Sequence, residues 1–147
     1  SENEMSIVQF AKLCNNKILL TGDAGRQALT LTLAYAPYAG LSLPGIDRFQ
    51  VPHHGSRRNL STEILDKLLG ERLKNKLEEG NETFSAIISA SEEDKNHPRK
   101  AVIRSMIHRG GKVVTNQSNT LSTYANSPKR EGWSSAKPMD YPNDQEE

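Results

Sequence analysis

Short apolar runs and helix-period segments alternate along this chain, and that alternation confines it to a layered α/β fold. Residues 5–11 alternate apolar and polar, residues 12–16 carry the turn chemistry of Asn15-Asn16, and residues 17–21 form a second apolar run. The opening therefore predicts a β-hairpin. Over residues 24–36, Ala28, Leu29, Leu31, Leu33, Ala34 and Tyr35 predict a helix that Pro37 closes and Asp23 caps. A loop rich in Gly and Pro leads to a strand at 46–51. Ser61 and Glu63 mark a helix start, and the stripe Ile64, Leu65, Leu68, Leu69, Leu73 and Leu77 carries that helix to Gly80, with a break point at Gly70. Residues 83–90, with Ala86-Ile87-Ile88 inside, predict a buried strand. Pro98 suits the first turn of a further helix with Ala101, Val102, Met106 and Ile107 on its apolar face. Gly110-Gly111 ends it before a strand at 112–115. The predicted order is ββαβαβαβ.

After Asn116 the composition shifts toward Ser, Asn, Pro and charge. Residues 1–121 are therefore read as the folded part and 122–147 as a polar extension, with an edge strand possible at 120–125 and a solvated, mobile end at 143–147. Nineteen Lys and Arg against eighteen Asp and Glu give a net charge of +1, which excludes a global field drawing the chain onto nucleic acid or an anionic membrane. Any anionic substrate must be recognised locally. The single Cys14 excludes an intrachain disulfide and a cysteine-based zinc cluster, and a reducing, cytoplasmic setting is the expectation. No apolar run approaches the roughly 18 residues of a spanning helix, so no membrane partner is expected.

Three strings stand where strands end: Thr21-Gly22-Asp23, Val51-Pro52-His53-His54-Gly55-Ser56 and Asn96-His97-Pro98. Ligands gather beyond the carboxyl ends of strands in α/β folds, so one carboxylate and two or three imidazoles can share a rim. Each string has a plainer reading. Asp23 is a capping residue or a carboxylate bridging two ions; His53-His54 is a metal-binding or a hydrogen-bonded structural pair; His97 is a helix-entry residue or a ligand. If strand alternation continues, only one of His53 and His54 faces the site. His108, beside Arg109 at a helix end, reads as a dipole partner. Together, a mixed His and carboxylate set suits Zn, Mn or Fe(II), and a two-metal site can activate water near neutral pH. Ser56, Ser89, Arg57, Arg58, Asn59, Arg99 and Lys100 are candidate hydrogen-bonding and phosphate-holding groups, or ordinary turn and solvated side chains.

In order, ILLTGD, VPHHGS, AIISASEEDKNHP and KVVTN resemble the C-terminal half of a metallo-β-lactamase-fold hydrolase. The similarity is to the branch typified by the C-terminal domain of the DNA-uptake competence protein and its free-standing bacterial relatives. It covers about residues 3–116, including Asn3-Glu4-Met5-Ser6-Ile7-Val8; Arg130-Glu131-Gly132-Trp133 and Pro138 resemble the tails of the free-standing relatives. The resemblance implies half of a four-layer αββα sandwich, a mixed sheet with helices on one face. It also implies a metal-dependent hydrolase of phosphodiesterase or nuclease type, with two divalent ions, Zn or Mn, in the intact enzyme. Asp23 then corresponds to the bridging aspartate, His53 or His54 to the last metal-binding histidine, and His97 to an additional histidine for substrate or leaving-group protonation. Ser56 and Arg57 would touch a phosphodiester or nucleotide. The family's H-x-H-x-D-H motif is missing, since no histidine precedes His53. The expectation is a fragment inactive alone, whose partner is the missing N-terminal half, a second chain or another copy. The alternative is a non-catalytic binding or assembly module.

Overall fold

A computed structural model describes residues 2–144, with side-chain environments from Glu4 onward. The elements are β1 (Gln9–Leu13), β2 (Asn16–Leu20), α1 (Arg26–Tyr35), β3 (Arg48–Gln50), α2 (Thr62–Leu69), β4 (Phe84–Ile88), α3 (Lys100–Ile107) and β5 (Gly111–Thr115), the order read from the sequence. They build one five-stranded sheet in which spatial order equals chain order, β1-β2-β3-β4-β5. β1 and β2 are antiparallel and every later pair is parallel.

The hairpin turn is Cys14-Asn15, both left-handed at φ 49° and 61°, the geometry that matches the twist of the flanking strands. Asn16 already belongs to β2, so the turn sits one residue earlier than expected. β1 also begins later, because Met5 ends a short 3-10 turn at Glu2–Met5.

Three parallel crossovers advance the same way across the sheet, and right-handed crossovers then set all three helices on one face. Leu19, Phe49, Ala86, Ile88 and Val113 point to that face and join Leu29, Ile64, Leu65, Leu68, Ile103 and Met106 in one buried cluster. Full burial of a side chain such as Phe49 or Leu68 contributes about 1.5–3 kcal/mol. The alternate residues Ile18, Leu20, Arg48, Ser85, Ile87, Lys112 and Val114 face away from the helices. Leu20 and Leu13 are exposed on the β1–β2 part of that face, whereas residues 121–136 lie against the β3–β5 part.

Several expected boundaries move, each for a local reason. Asp23 does not cap α1: the cap position is Gly25, and the carboxylate of Glu4 accepts from the Ala28 N–H at 2.7 Å. A Cβ on Gly25 would sit 2.1 Å from that carboxylate. The second helix stops at Leu69, because Gly70 adopts φ 105° and its N–H closes onto Asp66. Residues 71–81 are irregular and exposed. Pro98 precedes α3, whose cap is Arg99, and no strand forms at 120–125. Arg109 is buried below α3, where it pairs with Asp66 of α2 and with the Ser105 hydroxyl, tying the two helices. At the polar end of the chain, residues 145–147 lie outside the described residues.

Candidate functional site

β2 delivers Thr21, which is fully buried, to the end of the sheet. Its hydroxyl donates to the Gln50 carbonyl at 2.7 Å, and the Gln50 side-chain oxygen accepts from the Thr21 and Gly22 N–H groups at 3.0 and 3.2 Å. Gln50, the last residue of β3, thus holds the turn after β2. The Gly22 carbonyl then accepts from the His53 N–H at 3.0 Å. Asn59, buried, closes the link by donating to the carbonyls of Asp23 and Ala24, both at 3.1 Å. Its position helps an irregular stretch to be buried, since its amide finds acceptors in the Ala24 and Asp23 carbonyls.

His53, His54 and Gly55 follow one another in the left-handed region, at φ 48°, 56° and 85°. For the two histidines this costs about 1–2 kcal/mol each, and the surrounding bonds must hold it. Strand alternation has ended at Gln50, so the expectation that only one imidazole faces the site does not apply. The His53 ring lies between the other two, with centroids 5.7 Å from His54 and 6.1 Å from His97.

Gly55 is also where the third string joins. The Arg99 N–H donates to the Gly55 carbonyl at 3.1 Å, and a Cβ on Gly55 would lie 2.7 Å from the Pro98 ring. Only glycine permits both the left-handed backbone and that approach. The three strings, far apart in the chain, therefore meet through backbone contacts.

His54 is exposed, and its Nδ1 lies 2.6 Å from the Ser89 carbonyl beyond β4. A carbonyl can only accept, so Nδ1 carries the proton and Nε2 of the neutral ring keeps its lone pair, the arrangement that prepares a histidine for a cation. His97 Nδ1 faces Asp94 Oδ2 at 2.9 Å. Asp94 is held below the ordinary aspartate range, first by the Asn96 N–H and then by the His97 side chain. Asp23 is half-exposed, and its Oδ1 stands 3.8 Å from His53 Nδ1. Ser56 is buried and accepts from the Arg58 N–H at 3.3 Å, while Arg57 is exposed with its carbonyl facing Arg26. His108 lies elsewhere, at the end of α3, with Nε2 3.0 Å from the Tyr141 hydroxyl.

Among the described residues, no three His, Cys, Asp or Glu side chains converge tightly enough to form a metal site by themselves. What this chain offers is a rim of oriented donors. Sequence reasoning missed Asp94 and Gln50, and read Asn59 as a phosphate-holding or turn residue where it ties the carbonyls of Asp23 and Ala24. The Asp94-x-x-His97 spacing was a usable signal for the first; nothing local marks the other two, whose partners lie some 30 residues away. No family model, curated protein or solved structure matches the chain.

Proposed function

We propose that the chain supplies one rim of a metal-dependent hydrolytic centre acting on phosphodiesters or nucleotides, within a four-layer sandwich of the metallo-β-lactamase type. The observation that carries this reading is His54, strained into the left-handed region and locked by the Ser89 carbonyl with Nε2 free to donate. Strain kept at an oriented imidazole is more readily explained by a ligand than by packing.

In this reading Asp23 is the bridging carboxylate, His54 and His53 are nitrogen donors, and Arg57 meets phosphate oxygens. His97, whose Nδ1 is oriented by Asp94, is the side chain placed to pass a proton to the leaving group. Two divalent ions, Zn or Mn, would supply Lewis acidity for the hydrolysis. The donor types fit such ions, but their number does not suffice for two, each of which needs at least four ligands. The remaining ligands are proposed to come from a further segment or chain. Its layers would meet the sheet face that the helices leave open, at Leu13, Ile18 and Leu20.

Elemental analysis and calorimetric titration with zinc and manganese, on the native chain, Asp23→Ala and His54→Gln, test this directly. Weak stoichiometric uptake that His54→Gln abolishes, with circular dichroism unchanged, is expected. The chain alone should leave a chromogenic phosphodiester intact. Uptake indifferent to both substitutions, or hydrolysis that survives Asp23→Ala, overturns the proposal. A second reading, an assembly module without chemistry, is favoured by exposed Leu13 and Leu20, and light scattering that finds a metal-independent oligomer would support it.

A further inference from the structure

On the face of the sheet away from the helices, the C-terminal segment roofs a cavity of about 300 Å³. Its floor is Ile87 and Val114, alternate residues of the two strands farthest from β1. Four cationic side chains line it: Arg48 and Lys112 from the sheet, Lys129 and Arg130 from the segment above. No Asp or Glu does. None of the four makes an ion pair among the described residues. Arg48 is oriented by its Nε donating to Thr123 Oγ1 at 2.8 Å and its Nη1 to the Asp47 carbonyl at 2.9 Å. Among the described residues the two lysine side chains have no such engagement.

In a chain of net charge +1, four uncompensated cations around one small cavity are a concentrated, local demand for an anion. Their geometry suits phosphate oxygens, to which guanidinium and ammonium groups donate charge-assisted bonds. The wall adds rings. Trp133 and Tyr124 line the same cavity, and the Arg130 guanidinium lies 4.2 Å from the Trp133 ring centroid. A planar heterocycle stacks on such surfaces, and the serine hydroxyls nearby complement its polar edge. A volume of about 300 Å³ is at the lower end of small-ligand sites, enough for one nucleotide and not for two.

We propose that this cavity is a binding site for a nucleoside monophosphate unit, with the phosphate held by Lys112, Lys129 and Arg48 and the base against Trp133. The site shares no residue with the histidine rim and does not rest on the reading of that rim. It lies on the helix-free face of β3–β5, and the histidines follow the carboxyl ends of the strands.

Trp133 is the only tryptophan, so its fluorescence reports on the cavity without a label. The native chain, titrated with AMP, adenosine and inorganic phosphate, should show a saturable change with AMP that weakens with added salt. Adenosine and phosphate should each bind more weakly. Lys112→Gln combined with Lys129→Gln, both lysines lacking such partners among the described residues, should weaken AMP binding by about tenfold or more and leave circular dichroism unchanged. A 5′-phosphorylated single-stranded tetranucleotide presents the same unit at a strand end; saturation by it or by AMP supports the site and tells the two sources apart. Absence of any saturable change, phosphate binding as tightly as AMP, or affinity untouched by the double substitution overturns the proposal.

Discussion

Two irregular stretches of similar length, residues 51–60 and 71–81, leave opposite marks on this molecule. The first has almost no regular structure, yet Val51, Pro52, Gly55, Ser56, Asn59 and Leu60 are buried. The second is exposed throughout, with charged and polar side chains and two apolar ones, Leu73 and Leu77, that reach Gly110. Both lack the regularity of a helix or strand; they differ in where their backbone hydrogen bonds go. In 51–60 groups are answered from outside by Ile87, Gly22 and Arg99, and the Asn59 side chain in turn answers the carbonyls of Asp23 and Ala24. In 71–81 the chain is exposed throughout, and its backbone tie to the rest of the fold is the Leu73 N–H to the His108 carbonyl. Irregular backbone buried at the cost of left-handed histidines implies a use, and irregular backbone in water implies a connection.

The sharpest way to break that contrast is a pair of glycines. Gly55→Ala should destabilise the fold by about 3 kcal/mol in a urea titration, adding a clash with Pro98 to left-handed strain. Gly80→Ala shares the positive φ but faces open space, and should cost about 1 kcal/mol or less. Equal losses would show that the two stretches are alike. Asn59→Ala comes next, with about 2 kcal/mol lost as a buried and a part-buried carbonyl lose their donor.

Protease accessibility carries a smaller free energy but a direct readout. Arg57 and Arg58 are exposed, like Arg72, Lys74 and Lys76, so trypsin should discriminate by backbone anchoring. Mass mapping of brief digests should find cleavage at 72–76 before 57–58; the reverse order would contradict the anchoring described for 51–60. The smallest effect concerns the third loop. Because Asp94 titrates below its ordinary value, its contribution is complete above the unfolded aspartate pKa and is lost only as pH falls through the lower folded one. The Asp94 carboxyl carbon should titrate below the ordinary aspartate range in an NMR titration, and His97→Gln, which removes one of the groups that hold it there, should raise that midpoint.

Much of the architecture was legible because it rests on local signals. Apolar runs, the prolines and the paired glycines at the start of β5 place all eight elements in order. The misplacements occur where a distant group decides. Glu4 supplies the cap that Asp23 was expected to provide, and the apolar stripe through Leu73 and Leu77 continues a helical period that Gly70 has already ended. At the rim, the three strings stand out as types of residue, and the structure does bring their backbones together. What holds them there is illegible locally: a glutamine and an asparagine that look like ordinary loop polar residues until their partners are known.

Spatial order equal to chain order also sets how the molecule can be put together. Each strand after the hairpin adds to the edge its predecessor has just made, so no strand waits for a later one to be inserted between neighbours. Such a sheet can grow as the chain emerges, and its contacts stay comparatively local. The rim cannot grow that way: its last tie, from Arg99 to Gly55, requires the segment beyond β4. A chain halted before residue 99 could pair four strands and still lack the tie that fastens Gly55.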